Sequence, residues 1–219
     1  MTKLCKQVSD TYEIIDGRKL HDFDRCLAYL DYQGKAHYGP TFRINSLDLP
    51  VIYRLVVYML RDEKAALAAK LDLNKGLLVT GPIGCGKTSL MHLVKAFAPP
   101  PAFYKIKTCR EISLEFAKYG YEPLSRYTQK QAQQSRLPGY CFDDLGAEHQ
   151  IKHYGNECNV MAEVLLSRYE QFVENQTVTH LTTNLSASEI ELFYGNRLRS
   201  RMRQMFNLIS FDKNSHDKR

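Results

Sequence analysis

The sequence lacks the patterns that would place the chain in a membrane or direct it out of the cell. It contains no apolar run of about 18 residues or more, so we expect no transmembrane helix and no membrane partner. No hydrophobic segment follows the first residues, so we expect no secretory signal. Its six cysteines include no C-x-x-C pair, and scattered single cysteines are typical of reduced thiols. These absences predict a cytoplasmic protein.

Clustered metal ligands and a strong charge of one sign are also missing. His149, His153 and Cys158 lack a second ligand pair, so they do not favour a zinc site. The formal net charge of +6 permits a nucleic-acid partner without requiring one. There is no internal repeat or low-complexity tract. A length of 219 residues with 44% hydrophobic content suits one globular domain with a modest extension.

Strand and helix patterns alternate through most of the chain. The turn at Gly39 and Pro40 divides a short helical N-terminal extension, residues 1–40, from the main domain, residues 41–219. We predict strands over 76–80, 103–107, 139–142, 177–182 and 205–211. We predict helices over 51–69, 88–98, 111–119, 159–173 and 188–194, the last opened by a capping serine, and a helical turn over 198–203. Strands separated by helices predict an α/β fold with a five-stranded parallel sheet sandwiched by helices.

Residues 81–88 match the phosphate-binding loop (P-loop) G-x-x-x-x-G-K-[ST] at every fixed position, between a predicted strand and a predicted helix. Backbone N–H groups around the glycines can wrap phosphates, and the helix start adds partial positive charge. We expect Lys87 to reach the β- and γ-phosphates, and Thr88 to offer its hydroxyl to Mg²⁺. The predicted ATP-binding residues are Gly81, Pro82, Ile83, Gly84, Cys85, Gly86, Lys87, Thr88 and Ser89.

Two acidic residues, Asp143 and Asp144, follow the strand pattern over 139–142. A carboxylate at this position can hold the shell of Mg²⁺ beside the loop, so we predict Asp143 and Thr88 as metal ligands. In many such ATPases the second acidic residue is glutamate and polarises the attacking water. Asp144 is one methylene shorter, so we expect slow hydrolysis.

Polar and basic side chains follow later in the chain. Asn184 comes after the strand pattern over 177–182 and can orient the attacking water, although asparagine also favours plain turns. Four arginines alternate over 197–203, and Arg197 and Arg201 share one helix face. Either can serve as an arginine finger for a neighbouring subunit, while a solvated basic face or a nucleic-acid patch accounts for the pattern equally well. We interpret Arg168 as a surface arginine, with a role at a neighbour's site as the alternative.

The segment 103–137 is basic and contains interleaved tyrosines. It has three acidic residues and seven basic ones, which are Lys105, Lys107, Arg110, Lys118, Arg126, Lys130 and Arg136. Tyr119, Tyr121 and Tyr127 lie among them. Single strands are held by phosphate contacts and base stacking, so the segment predicts contact with single-stranded DNA. An ordinary solvated surface is the alternative.

The motifs together resemble the DnaC/IstB-like AAA+ ATPases. The loop at 81–88, Cys-Phe-Asp-Asp-Leu-Gly at 141–146, Thr-Thr-Asn at 182–184 and Tyr-Gly-Asn-Arg-Leu-Arg-Ser-Arg-Met at 194–202 occur in that family's order and spacing. The resemblance covers about residues 45–212 and implies an AAA+ core of the ASCE class of P-loop NTPases, without a full lid domain. It implies Asn184 as sensor 1, and Arg201 as the arginine finger with Arg197 second.

The same resemblance implies an ATPase that uses ATP and Mg²⁺, assembles as a homo-oligomer with ATP, and works in DNA replication as a helicase loader. The partners would be single-stranded DNA and a replicative helicase, which the extension at 1–40 would contact. An IstB-like transposition helper, with a transposase as partner, fits equally well. A weakly catalytic, nucleotide-dependent DNA-binding adaptor stays open because of Asp144. A small-molecule phosphotransferase is disfavoured by Asn184 and by the Ser-Arg-Met segment.

Overall fold

The computed structural model describes residues 5–130, 137–148, 151–153 and 156–215. Residue contacts divide the chain into two units, which are described separately. The first unit comprises Met1–Leu71, Pro82–Pro101 and Phe211–Arg219, and the second comprises Asp72–Gly81 and Ala102–Ser210. The predicted domain boundary at Gly39 and Pro40 remains a prediction.

The first unit is helical apart from one hairpin. A 3-10 turn at Val8–Thr11 precedes an antiparallel pair, β1 (Tyr12–Ile15) and β2 (Arg18–His21). Asp16 (φ 50°) and Gly17 (φ 73°) make the two-residue turn, in the left-handed conformation that such hairpins favour. The extension, which the sequence predicts to be helical, therefore contains this hairpin as well as a helix. The helices are α1 (Phe23–Tyr38), α2 (Leu49–Leu60), α3 (Glu63–Ala68) and α4 (Lys87–Val94), with 3-10 turns at Ser46–Asp48 and Lys95–Phe97.

The predicted single helix over 51–69 is two helices. Arg61, with φ 58°, takes the left-handed conformation that ends α2. Asp62 then begins α3, because its side chain accepts a hydrogen bond from the backbone N–H of Ala65 at 2.9 Å. An aspartate followed by glutamate is a helix-start signal, so the sequence contained the break.

Helices α1 and α2 pack against α4 and hold the helix that follows the P-loop. The buried side chains include Leu30, Ile52, Leu55, Leu90 and Met91. The ring of Phe42 is buried over Gly34 of α1, where an added Cβ would lie 2.1 Å from Cε1 of Phe42. Glycine is therefore required at Gly34 for the Phe42 ring to pack this close to the helix.

The second unit is built on one parallel sheet. Its strands are β3 (Gly76–Thr80), β4 (Tyr104–Thr108), β5 (Gly139–Leu145), β8 (Thr179–Thr183) and β9 (Phe206–Ser210), in the spatial order β4-β5-β8-β3-β9. Every neighbouring pair is parallel. The other elements are α5 (Cys109–Tyr119), α6 (Ser125–Thr128), the antiparallel pair β6 (Ile151–His153) and β7 (Asn156–Cys158), α7 (Val160–Asn175) and α8 (Ala187–Met205). The predicted five-stranded parallel α/β sheet is confirmed.

One apolar core joins this sheet to α5, α7 and α8. It includes Phe116, Phe142, Leu165, Leu181 and Met202, all buried. Burying each large side chain contributes about 1.5–3 kcal/mol, so this core fixes the strand ends that carry polar groups. No described helix has the combination of length and apolarity that crossing a membrane requires.

Helix α8 differs from the prediction at its start. Its cap is Ser186, whose side chain accepts from the N–H of Glu189 while the Glu189 carboxylate accepts from the N–H of Ser186. The helix therefore begins at Ala187, one residue before the predicted start at Ser188, and its cap is Ser186. Gly195, with φ 82° and ψ 158°, breaks the helix where the sequence predicted a gap between two helical segments.

Candidate functional site

The P-loop joins the end of β3 to the start of α4, as its sequence predicts. Gly84 (φ 81°) and Gly86 (φ 93°) adopt left-handed backbone conformations that are costly for other residues. Lys87 is 8% exposed, and its Nζ donates to the carbonyl oxygen of Pro82 at 2.8 Å. The side chain of Lys87 therefore folds back, and its ammonium group contacts the backbone of the P-loop.

The remaining loop residues differ in exposure. Ile83 is exposed and Cys85 is fully buried, while Thr88 is exposed in the first turn of α4. The hydroxyl of Thr88 therefore lies at the surface beside the start of the helix, where a metal-bound phosphate group would be expected.

The carboxyl ends of the strands form a polar edge of the sheet. The register aligns Thr80, the last residue of β3, with Thr183 of β8, and it aligns Thr183 with Leu145 of β5. Asp143 pairs with Thr108 of β4 in the same edge region. In open α/β sheets, ligands bind outside the carboxyl ends of the strands. The strand that leads into the P-loop and the strand with the acidic pair therefore end at one edge.

A bulge in β5 gives the two acidic residues different surroundings. The register of β5 against β8 shifts between Phe142 and Leu145, and Asp144 has a φ of 60°. Asp143 is consequently 5% exposed, whereas Asp144 is exposed to solvent. The structure thus separates a buried carboxylate, suited to a metal, from an outward carboxylate that can reach a water molecule.

Thr182 holds this bulge, and sequence reasoning did not assign it a role. Its buried hydroxyl donates to Oδ1 of Asp143 at 2.6 Å and accepts from the backbone N–H of Asp144 at 2.8 Å. A hydroxyl can do both at once, because it carries one donor and two acceptor lone pairs. Only the pairing of β5 with β8 reveals the contact. The sequence signals it only by a threonine two residues before the proposed sensor, Asn184.

The next residues of β8 extend the arrangement. The Thr183 hydroxyl donates to the carbonyl oxygen of Leu145 at 2.7 Å and accepts from the N–H of Leu185 at 3.0 Å. Asn184 follows β8 directly and is exposed. Because β8 lies between β5 and β3, the predicted sensor is at the edge that carries the acidic pair.

The predicted arginine fingers lie in the second half of α8. Arg197 is exposed, and Arg199 forms an ion pair with Glu191. The Arg201 guanidinium lies 4.7 Å from the ring centroid of Tyr169, a cation–π contact with α7. Among the described side chains, Nη1 of Arg201 is one of the few buried nitrogens without a hydrogen-bond partner. Both residues remain predictions as arginine fingers.

Arg168 is a core residue, contrary to the interpretation as a surface arginine. It is fully buried, and its guanidinium donates to Oγ1 of Thr179 and to the carbonyl oxygens of Tyr127, Pro138 and Val178 at 2.8–3.1 Å. Burial lowers the pKa of Arg168 to about 10. The group therefore stays charged at neutral pH and ties α6, β5 and β8 to α7.

The basic segment exposes side chains on and after α5, which we call the tyrosine–lysine surface and define by Lys118, Tyr119, Tyr121, Arg126 and Lys130. All five side chains are exposed, and the Lys118 ammonium lies 4.8 Å from the ring centroid of Tyr119.

Tyr127 does not belong to the tyrosine–lysine surface, although the sequence places it among the same basic residues as Tyr119 and Tyr121. It is 2% exposed, and its hydroxyl donates to Glu115 at 2.8 Å. Lys107 pairs with Glu115 at 3.5 Å, which partly neutralises it. Arg136 lies outside the described residues.

Among the described residues, no cluster of three or more His, Cys, Asp or Glu side chains is arranged to hold a metal ion. His149 and the side chains of His153 and Cys158 lie outside what the structure describes. Mg²⁺ needs less from the protein, since it is commonly held by one or two carboxylates together with substrate phosphates. The buried, oriented carboxylate of Asp143 fits that requirement.

Comparison with known proteins found similar solved structures but no matching sequence family. No family model matches the sequence, and no curated protein matches it. Two solved structures, the DnaC helicase loader and DnaI, are 19% and 21% identical to this chain. The DnaC alignment covers 64% of this chain and 79% of the loader, with a TM-score of 0.48. The DnaI alignment covers 66% of this chain and 73% of DnaI, with a TM-score of 0.49.

A third solved structure is a candidate primosome component from Streptococcus pyogenes serotype M3. It is 14% identical, the alignment covers 80% of this chain and 86% of that one, and the TM-score is 0.53. At this identity the likeness concerns the fold alone. Together with the parallel sheet order, it confirms the predicted α/β fold, in which helices flank a five-stranded parallel sheet.

Proposed function

We propose that this chain binds ATP with Mg²⁺ at its P-loop and hydrolyses it slowly, as a nucleotide-controlled DNA-replication factor of the helicase-loader type. Two observations carry the proposal: a complete P-loop follows β3 in the chain, and an oriented acidic pair ends β5. In the proposal, backbone N–H groups of the loop and Nζ of Lys87 bind the phosphates. Thr88 and Asp143 hold Mg²⁺, which neutralises charge on the phosphates.

The two acidic residues have different tasks in this proposal. Asp143 is buried and hydrogen-bonded to Thr182, which keeps its carboxylate aimed in one direction. Asp144 is exposed, so it can accept a proton from the attacking water, with Asn184 helping to orient that water. The shorter side chain of aspartate supports slow turnover by the isolated chain.

The arginines of α8 support a second part of the proposal, in which hydrolysis needs a neighbouring copy of the chain. Arg197 is exposed, and a buried nitrogen of Arg201 has no acceptor among the described residues. A buried donor without an acceptor costs about 1–3 kcal/mol, and that cost ends if the Arg201 side chain moves out to an acceptor on a neighbouring subunit. We propose Arg201 as the finger, with Arg197 as the second choice.

The tyrosine–lysine surface supports single-stranded DNA as a ligand. It combines exposed lysine and arginine side chains with two exposed aromatic rings, Tyr119 at 56% and Tyr121 at 63% exposure. Such a surface can contact phosphates and stack on bases without reading their sequence.

A binding titration tests the ATP site first. Lys87→Ala should weaken ATP affinity by about 100-fold, since charge-assisted bonds to phosphate contribute up to about 3 kcal/mol. Lys64→Ala, which removes an exposed lysine of α3, is the matched control and should bind ATP as the parent does. Equal affinity of the parent and Lys87→Ala would contradict the proposed site.

The partner requires a capture experiment with Asp144→Asn. This variant should retain ATP without hydrolysing it, and asparagine tolerates the left-handed backbone of this position. Recovery of the replicative helicase only with ATP supports the loader function. Recovery of a transposase supports a transposition helper instead. Recovery of DNA alone supports a nucleotide-dependent DNA-binding adaptor.

A further inference from the structure

The turn that follows the acidic pair is closed by the side chain of Glu148. The N–H of Ala147 donates to the carbonyl oxygen of Asp144 at 3.0 Å, and the N–H of Gly146 donates to Oε2 of Glu148 at 2.8 Å. Gly146 has a φ of 101°, and a Cβ added there would lie 2.6 Å from Cδ1 of Leu185. The backbone after β5 is therefore fixed both by its own hydrogen bonds and by a close approach to the chain after β8.

The other oxygen of Glu148 reaches α8. Its Oε1 accepts a hydrogen bond from the hydroxyl of Tyr194, the residue just before the break at Gly195. Burial raises the pKa of Glu148, and burial together with the Glu148 charge raises the pKa of Tyr194. At neutral pH the tyrosine hydroxyl is therefore protonated and can act as the donor.

A second contact reaches the same break from α7. Asn159, which caps α7 by accepting from the N–H of Ala162 at 3.1 Å, also donates its amide to the carbonyl oxygen of Phe193 at 2.8 Å. Carbonyl groups in the last turn before a helix break lack partners within the helix. The Asn159 amide is the hydrogen-bond partner of one such carbonyl group, that of Phe193. The backbone at the break is therefore held by Asn159 and by the contact of Tyr194 with Glu148.

The half of α8 beyond the break carries the arginines. Arg199 forms an ion pair with Glu191 across the break. The Tyr169 ring of α7 contacts the Arg201 guanidinium, and the Tyr169 hydroxyl donates to Oε1 of Gln204 at 2.7 Å. The direction of this half therefore depends on contacts made at the break and on α7. One of the contacts at the break comes from the turn after the acidic pair.

We propose that Glu148 and Tyr194 form a latch that couples the acidic end of β5 to the arginine-bearing half of α8. In this assignment both are positioning residues, which act through Arg197 and Arg201 rather than on the nucleotide. The coupling rests on the proposed ATPase function, because its effect on turnover requires arginine fingers. The same contact makes α8 sensitive to any shift of the backbone at Asp144.

The test compares Tyr194→Phe, Glu148→Gln and the double variant in two measurements. Tyr194→Phe removes one oxygen from a side chain that otherwise keeps its volume. Tyr53→Phe is the matched control, since Tyr53 is 39% exposed and its ring packs edge-on against Phe23 of the first unit. The first measurement is ATP turnover against protein concentration, with ATP affinity determined separately.

We expect ATP affinity within about twofold of the parent and a maximal turnover about tenfold lower, because misplaced catalytic groups reduce kcat rather than binding. The double variant should lose no more than the worse single variant, since both changes remove one contact. Additive losses, or a loss of ATP affinity equal to the loss of kcat, would overturn the latch.

The second measurement is hydrogen–deuterium exchange of residues 196–205, which does not depend on ATP. Faster exchange in Tyr194→Phe, with exchange in Tyr53→Phe unchanged, supports the latch. This holds even if the parent neither binds nor hydrolyses ATP, because that result would refute only the proposed function. Unchanged exchange together with unchanged turnover would overturn the latch. Faster exchange with unchanged turnover in an active parent would refute its positioning role.

Discussion

The hydroxyl of Thr182 lies 2.6 Å from Oδ1 of Asp143 and also accepts the backbone N–H of Asp144. A single buried side chain on one strand thus determines both the aim of one carboxylate and the backbone conformation of the next residue. Hydrogen bonds to charged groups contribute about 1.5–3 kcal/mol, more than a neutral pair. The polar edge of the sheet therefore depends on Thr182 as well as on the acidic residues themselves.

Replacing Thr182 with valine should weaken the response to Mg²⁺. Valine keeps the branched shape but cannot donate to Asp143, and removing such an outer contact typically lowers metal affinity or activity by about 10–100-fold. We expect the Mg²⁺ concentration for half-maximal turnover to rise about tenfold. Thr182→Ser, which keeps a hydroxyl, should recover most of the loss. The measurement is ATP turnover across a Mg²⁺ titration.

The neighbouring threonine provides the control. Thr183→Val removes an equally buried hydroxyl, but one that is bonded to the carbonyl oxygen of Leu145 and not to a carboxylate. It should lower stability while leaving the Mg²⁺ midpoint near that of the parent. If both valine variants shift the midpoint equally, the effect belongs to the bulge as a whole and the role assigned to Thr182 is wrong.

The sequence predicted elements whose signals are local. The strands before and after the P-loop, the strand with the acidic pair and the gap in α8 at Gly195 were all predicted, because apolar runs and glycine act over a few residues. Two errors also had local signals. Ser186 with Glu189 formed a readable capping box, and Asp62 with Glu63 marked a helix start.

The remainder of the site depends on contacts between distant residues. Thr182 meets Asp143 because β8 pairs with β5 with a register shift, and no property of either segment alone encodes that shift. Arg168 is charged and lies on a helix, and charged residues on helices usually face solvent, so the sequence favoured a surface position. Its burial is possible because three carbonyl groups and one hydroxyl from separate segments converge on it. Such convergence appears only after the chain has folded.

Arg168→Met should destabilise the second unit by about 3 kcal/mol or more. Methionine fills much of the volume but removes the hydrogen bonds to four acceptors, two of those bonds fully buried, and each unsatisfied buried group costs about 1–3 kcal/mol. Arg168→Lys should recover part of the loss, because an ammonium group can donate to some of these acceptors. Arg203→Met, at an exposed position of α8, is the control and should change stability by less than about 0.5 kcal/mol. Urea unfolding monitored by circular dichroism measures both, and equal midpoints would contradict the role of Arg168.

Stability of the first unit should fall on acidification because of His21. Burial and the charge of Lys19 lower the pKa of His21 below its usual 6.5, and its Nδ1 lies 2.9 Å from Oγ1 of Thr11. The unfolded chain then takes up a proton at a higher pH than the folded chain does. This contribution to stability is present above pH 6.5 and is lost as the pH falls through the folded pKa.

Two measurements check the role of His21. An NMR titration of its ring should give a midpoint below 6.5. Thermal unfolding of His21→Asn should depend less on pH between about 7.5 and 5.5 than that of the parent, with a difference of at most about 1.4 kcal/mol per pH unit. A midpoint above 6.5 would reverse the sign and refute the prediction.

Binding of single-stranded DNA should depend on salt and on the tyrosine–lysine surface. Tyr121→Ala should cost about 1–3 kcal/mol, the range for loss of one stacked base. Lys118→Gln should reduce the slope of log affinity against log salt by about 0.7, the value for one phosphate contact on a single strand. Fluorescence anisotropy of a labelled oligonucleotide across a salt series measures both quantities.

The basic segment 103–137 also provides the controls. Lys107→Gln removes a lysine that is already paired with Glu115, so its effect on the slope should be smaller than that of Lys118→Gln. Tyr127→Phe changes a buried hydroxyl beneath the surface and should leave DNA affinity unchanged. An affinity that does not vary with salt would show that phosphate contacts are absent, and the basic residues around α5 would then be an ordinary solvated face.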